Sequence, residues 1–258
     1  MPRPATSRRV AGVLSEVATI SAYFELETGP LESGWLPLTE LLTGPSVLSG
    51  RIAEVARRLG TTEDLVAASI FFQGLAARLW SPVIGAAVTR GVLVDLAPDR
   101  AFWRPTPSGP LPLRVAHPEG WEITDPNRAA EPIYRVVVTG LLEPLARTTR
   151  EVTKIAPGLL WGNAASALAG TVQAIARRHP GHAAGASALG RELLSTGVLE
   201  GGGELAEPAP GHSFFVRRSC CLYYRLPGGG MCGDCALIDP EIRREQWTRA
   251  VRAARGAP

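Results

Sequence analysis

Cysteine is absent from the first 219 of the 258 residues, and all four cysteines fall between positions 220 and 235. A disulfide framework spreads its cysteines to staple distant loops, so this clustering excludes one and favours metal ligation in a reducing cytoplasm. Lysine is nearly absent too: Lys154 is alone, and the small net charge of +3 rests almost entirely on arginine. No basic run is dense enough to read as a nucleic-acid tail. A secretory signal is not expected, because Glu16 interrupts the early apolar stretch and no small-residue cleavage site follows. Uninterrupted apolar runs are also lacking. Leu65 to Val88 contains Gln73, Arg78 and Pro82, and Gly158 to Ala176 contains Asn163, Ser166, Thr171 and Gln173. Each of these is costly in lipid without a partner, so both stretches read as buried helices and the protein as cytoplasmic.

What is present is a chain with 45% hydrophobic residues, enough for a packed core. Ile52, Val55, Ala56 and Leu59 recur at helical spacing until Gly60 stops the pattern. Leu65, Ala68, Phe72, Leu75, Ala76 and Leu79 continue an apolar stripe that Pro82 is expected to kink or end. Residues 101–116 suggest a short β hairpin around a Pro/Ser/Gly turn, and 118–127 reads as loop. Helical patterns resume over 131–152 and 157–178, and a short helix over 187–195 has Ser187 as its expected cap. Gly201, Gly202 and Gly203, followed by Pro208 and Pro210, make the best linker in the chain. Beyond it, His212 to Arg218 is strand-like and Asp239 caps a last helix starting at Pro240. The expected fold is mainly α with a small β component (α+β). Residues 1–200 form a helical body, and 201–258 a linker plus a small C-terminal metal-bearing module.

The cysteines read Cys220, Cys221, ten residues, Cys232, two residues, Cys235. C-x-x-C spacing turns two thiolates towards one metal centre, in zinc and iron–sulfur sites alike. The adjacent pair is unusual. In extended backbone, neighbouring side chains point to opposite faces, so using both as ligands requires a sharp turn or a group larger than one ion. Pro227, Gly228, Gly229 and Gly230 offer side-chain-free backbone that could donate N–H bonds to sulfur. From Gly211 onward, eight arginines stand against Asp234, Asp239, Glu241 and Glu245, a formal +4 that would steady an anionic group. Spacing alone leaves three readings open: an iron–sulfur cluster, structural zinc, and redox thiols.

The C-C-x10-C-x2-C arrangement resembles that of the FhuF-like ferric-siderophore reductases, and Trp161, Gly162, Asn163, Ala164, Ala165 and Ser166 are similar to a W-G-N-x-x-S stretch in the same family. The resemblance extends loosely from Thr62 to the end, and the first fifty residues contribute nothing to it. It implies a [2Fe-2S] cluster on Cys220, Cys221, Cys232 and Cys235, and one-electron reduction of Fe(III) held by a siderophore, usually a hydroxamate, releasing Fe(II) in the cytoplasm. Hard oxygen ligands hold Fe(III) better than Fe(II), so the electron loosens the chelate. With no flavin or nicotinamide signature, the donor is expected to be a separate protein such as an acidic ferredoxin or flavodoxin. A related siderophore-building family needs an ATP-binding portion, of which this sequence shows no sign.

Other features compete with this reading. Gly228, Gly230 and Gly233 satisfy G-x-G-x-x-G, but no βα unit surrounds them. Ile52 to Ile70 has a helix-turn-helix cast that supports a metal- or iron–sulfur-dependent transcription regulator as the alternative. Its would-be recognition helix, however, begins with Glu63 and Asp64, which repel phosphate. Trp161, Asn163, Arg217 and Arg225 are candidates for substrate contact, with helix packing the plainer account of Asn163 and Ser166. His179 and His182 read as a helix end, and His212 as a surface residue. The last helix is basic and amphipathic, a shape that docks on protein or touches the inner face of a membrane peripherally.

Overall fold

The computed structural model describes residues 3–256. Strand β1 (Arg3–Ala5) leads into α1 (Ser7–Ala18), whose first turn is capped by the Thr6 hydroxyl accepting from the Arg9 amide. Short strands β2 (Glu27–Thr28) and β3 (Leu36–Pro37) precede helices α2 (Leu38–Thr43), α3 (Pro45–Leu59) and α4 (Asp64–Arg90). Strands β4 (Val92–Asp95), β5 (Ala101–Trp103), β6 (Leu113–Val115) and β7 (Glu119–Glu122) follow. Helix α5 (Ala130–Tyr134) then continues through a π-helical stretch, Arg135–Leu142, into α6 (Glu143–Thr153). The remainder is α7 (Pro157–Arg178), α8 (Ala183–Leu194), the hairpin strands β8 (Gly203–Ala209) and β9 (His212–Arg217), and α9 (Pro240–Gly256). This is a mainly α protein with a small β component.

Helix α4 is the axis of the core. It is apolar on nearly every face, with Phe72, Trp80, Val83 and Ile84 fully buried, as a helix surrounded by others must be. Pro82 neither ends nor breaks it. A proline ring normally displaces the carbonyl four residues earlier, but here the turn leading into it is locked. The buried Arg78 guanidinium donates to the carbonyls of Leu111, Ala22 and Tyr23 at 2.7, 2.6 and 2.9 Å, and the Ser81 hydroxyl meets that of Thr171 at 3.0 Å. Burial pulls the Arg78 pKa down to about 10, which leaves it charged at neutral pH. Helix α7 lies along α4, and the Trp80 indole donates to the Ala164 carbonyl at 3.2 Å.

The N-terminal segment joins the same core. Val10, Val13, Leu14 and Val17 of α1 face α4, and Gly85 lacks the side chain that would meet the Phe24 ring at 2.9 Å. Two small sheets flank the helices: antiparallel β1-β7-β4, and β2-β6-β5-β3 with only β2–β6 parallel. Three elements differ from the sequence reading. Residues 119–122 are strand β7 rather than loop, because β1 and β4 pair with it on both sides. Helix α8 starts four residues earlier than expected, so Ser187 lies buried inside it and bonds Ser213 at 2.9 Å instead of capping. The glycine-proline stretch after 202 is strand β8: it pairs with β9, and a register irregularity between Ala206 and Ala209 absorbs its prolines.

No helix among the described residues is long and apolar enough to cross a membrane. The stretch with helix-turn-helix character is α3 and the start of α4, where Val66, Ala67, Ala68 and Phe72 are sealed in the core and cannot enter a DNA groove.

Candidate iron–sulfur site

Strand β9 delivers the chain to the cysteines. Its last residue, Arg217, donates its backbone N–H to the Asp234 carbonyl at 3.2 Å, pinning the start of the cysteine loop to its end. Between them the backbone turns sharply. Leu222, directly after the adjacent pair, has φ 65° and ψ 6°, a left-handed conformation that a leucine rarely adopts. That turn reverses the chain directly after the adjacent pair. Within the C-x-x-C segment, the Cys235 amide donates to the Cys232 carbonyl at 3.0 Å.

Cys221 and Cys235 are buried, while Cys220 and Cys232 are half-buried. The sulfurs of Cys221 and Cys232 stand 3.5 Å apart, and two thiolates bound at about 2.3 Å to one tetrahedral centre stand only about 3.8 Å apart. Backbone amides two residues on point at three of the four sulfurs. Leu222 donates to Cys220 and Leu237 to Cys235, both at 3.4 Å, and Tyr223 donates to Cys221. Cys221 and Cys232 share an S–H···S hydrogen bond, and this bond, with the Tyr223 amide and nearby Arg217, draws the Cys221 pKa down to about 6 despite burial. The same bond, desolvation and the neighbouring Asp234 push Cys232 the other way.

Two helices hold this loop from below through a buried polar lattice. Arg217, 2% exposed, donates to the side-chain oxygen of Asn163, to Gln73 Oε1 at 3.2 Å and to the Ser219 carbonyl at 3.1 Å. Asn163 donates to the Ser69 carbonyl and hydroxyl, both at 2.9 Å, and the Ser69 hydroxyl donates to the Cys221 carbonyl at 2.7 Å. Gln73 donates to Ser166 Oγ at 3.1 Å, and Ser166 in turn donates to the Asp234 carboxylate. Ser69 and Gln73 sit four apart on α4, and Asn163 and Ser166 three apart on α7, so each pair shares one helical face. On the far side, Arg243 of α9 donates to the Cys235 and Ile238 carbonyls at 3.1 and 2.8 Å.

The donor set fits a sulfur-rich cluster. Thiolates receiving amide N–H bonds, a buried cation without a carboxylate partner and glycine-rich backbone are the features that steady an anionic iron–sulfur group. The buried Ser219 hydroxyl, next to Cys220, has no hydrogen-bond partner among the described residues, as a donor awaiting an acceptor would. Among the described residues, no three His, Cys, Asp or Glu side chains stand together as a site for a single ion, so the fit rests on the Cys221–Cys232 pair, the amides and this spare donor.

Residues 217–237 match the family model of the FhuF 2Fe-2S C-terminal domain. The module is thus consistent with the FhuF-like family, supports a [2Fe-2S] cluster as the cofactor, and points to the ferric-siderophore reductases. No curated protein matches the chain.

The sequence-derived candidates fall in different places. Asn163 and Arg217 lie beneath the cysteine loop, fully buried and engaged with each other. Trp161 is half-buried against the core, and Arg225 is exposed and pairs with Glu63. His179 is the cap residue of α7, and the His212 ring lies 3.0 Å from the Pro210 carbonyl. Sequence reasoning missed Ser69, Gln73, Ser219 and Asp234. The available signal was two polar residues at a four-residue interval, Ser69 and Gln73, on the most apolar helix of the chain.

The FhuF-type loop also borders a cleft of about 960 Å³ whose walls come from α4, α7, β9 and α9. Cys221, Cys232 and Asp234 lie at one part of its lining, and Phe214 and Trp247, stacked with ring centres 5.1 Å apart, at another.

Proposed function

We propose that the protein is a ferric-siderophore reductase that delivers one electron to Fe(III) in a siderophore, of hydroxamate type, and releases Fe(II) in the cytoplasm. Cys220, Cys221, Cys232 and Cys235 hold the redox group. When bound, a [2Fe-2S] cluster supplies one electron at a time. The observation that carries this reading is that Cys221 and Cys232 line a cleft large enough for a small-molecule chelate. A purely structural metal site has no need of such an opening.

The chain's own residues have plain tasks. Ser69 and Arg243 hold the loop backbone, Asn163 braces Ser69 and Ser166 holds the Asp234 carboxylate, so that little rearrangement accompanies a change of charge at the sulfurs. Arg217 sets a permanent positive charge beneath them. No general acid, base or nucleophile is required for outer-sphere electron transfer, which needs proximity, orientation and a suitable potential. The electron arrives from a separate acidic protein such as a ferredoxin or flavodoxin, drawn to exposed Arg218, Arg244, Arg249 and Arg252. The basic last helix also suits peripheral contact with the inner face of a membrane.

The test is anaerobic purification. The protein should be coloured, contain about two irons per chain, become paramagnetic on one-electron reduction, and then convert a ferric trihydroxamate to Fe(II) captured by a ferrous chelator. Zinc alone, with no redox response, would overturn the proposal.

A further inference from the structure

The cleft beside the cysteines has a polarity of its own. At one end stand the cysteine pair and Asp234, the one carboxylate among the described lining residues, engaged by Ser166 of α7. About three turns further along α7 stand Arg177 and Arg178, exposed and in no ion pair among the described residues. The same lining carries the Phe214–Trp247 stack and mixes apolar with amide and hydroxyl side chains. A bound iron–sulfur group is itself anionic, so the field runs from negative at the cysteine end to positive at the arginine end.

We infer that this cleft is the chelate seat and that it selects ferric chelates bearing a carboxylate or other anionic arm on the organic shell. This rests on the reductase reading. An anionic arm is repelled from the cysteine end and drawn to Arg177 and Arg178, which turns the opposite, iron-bearing end of the chelate towards Cys221 and Cys232. The Phe214–Trp247 stack covers the organic backbone, where flat aromatic faces give large contact at low entropic cost. Substrate charge and substrate orientation are thereby linked, because the arginine end that attracts the arm also aims the metal.

The test uses the anaerobically purified holoprotein and redox-inert gallium(III) complexes of one linear trihydroxamate, with its terminal amine either free or succinylated. Calorimetry should show the succinylated complex binding roughly three- to tenfold tighter at low salt, the size of effect that two exposed ion pairs give. The difference should shrink at high salt. Arg177→Glu with Arg178→Glu, at solvent-facing positions that leave the core alone, should invert the preference. Trp247→Ala should weaken both complexes alike, with a melting curve to verify that α9 stays docked. Equal affinity for the two complexes, an unchanged preference in the double arginine variant, or no saturable binding would overturn the inference. The ferric complexes separate it from the reading beneath: reduction that proceeds regardless of these substitutions sinks the cleft alone, whereas no reduction by any variant or the parent sinks the reductase.

Discussion

Arg217 donates to the side-chain oxygen of Asn163 deep inside the protein, and no carboxylate pairs with its guanidinium among the described residues. A buried cation is costly unless a counter-charge compensates it, and the cysteine sulfurs are candidates, since Arg217 acts electrostatically on Cys221. Arg217→Gln should therefore act on the redox group. Removing a cation disfavours the more negative, reduced state, so the one-electron potential should fall by roughly 60 mV, the equivalent of a tenfold change in equilibrium. Arg217→Lys should keep more of the potential while losing the bonds to Gln73 and Asn163. Redox titration followed by electron paramagnetic resonance checks both, and an unchanged potential in the Gln variant would confine Arg217 to a structural role.

The glycine of the W-G-N-x-x-S stretch is explained by a close approach. A Cβ on Gly162 would sit 2.0 Å from Ser219 Oγ and 3.3 Å from Ser219 Cβ. The buried hydroxyl is the obstacle, since the Cβ need give by only a few tenths of an ångström, so Gly162→Ala should destabilise the protein by about 1–3 kcal/mol and lower iron content by displacing the start of the cysteine loop. Ser219→Ala in the same chain should recover most of the loss. Urea melts and iron analysis of the two single variants and the double variant measure the coupling.

The cysteine loop and the two helices beneath it differ in how far the sequence reveals them. Four clustered cysteines with an adjacent pair were legible as a metal site, and the spacing of Asn163 and Ser166 placed both on one helical face. What that face meets was not legible. Ser69 and Gln73 lie about 90 residues away in sequence from their partners on α7, and such pairings leave no local periodicity to read. Helices α3 and α7 announced themselves through apolar spacing and a glycine or His-Pro-Gly stop. Strand β7 did not, because E-G-W-E has no alternation of its own and exists through pairing with β1 and β4. Pro82 shows a related limit: of the kink or end that local propensity offers there, tertiary packing rules out the end.

Glu207 gives the acid dependence of the hairpin that carries the cysteines. Its carboxylate accepts from the Gly211 amide at 2.9 Å and from Arg191, and these two bonds hold its pKa below the usual carboxylate range. A depressed carboxylate stabilises the fold above its unfolded-state pKa, 4.5 here, and the contribution is lost as pH falls through the lower folded value. Amide exchange at Gly211 should therefore speed up below that point. Glu207→Gln should make exchange at this amide nearly independent of pH once the intrinsic rate is corrected, while the core of α4 is unaffected.

Leu222 tests the turn itself. With φ 65° it sits in the region where an L side chain crowds its own carbonyl, a cost of about 1–2 kcal/mol that glycine does not bear. Branching at Cβ worsens the crowding, so Leu222→Val should be the damaging substitution and Leu222→Gly the tolerated one. If the left-handed turn is what brings Cys220 and Cys221 to one side, the valine variant should lose iron while the glycine variant keeps its full complement. The Gly variant also gives up a half-buried side chain, so its melting point should stay within a few degrees of the parent rather than rise. The deciding quantity is iron per chain after anaerobic reconstitution. Equal occupancy in the two variants would show that the adjacent cysteines reach the metal without this turn, and the geometry of the pair would then have to come from the helices beneath it.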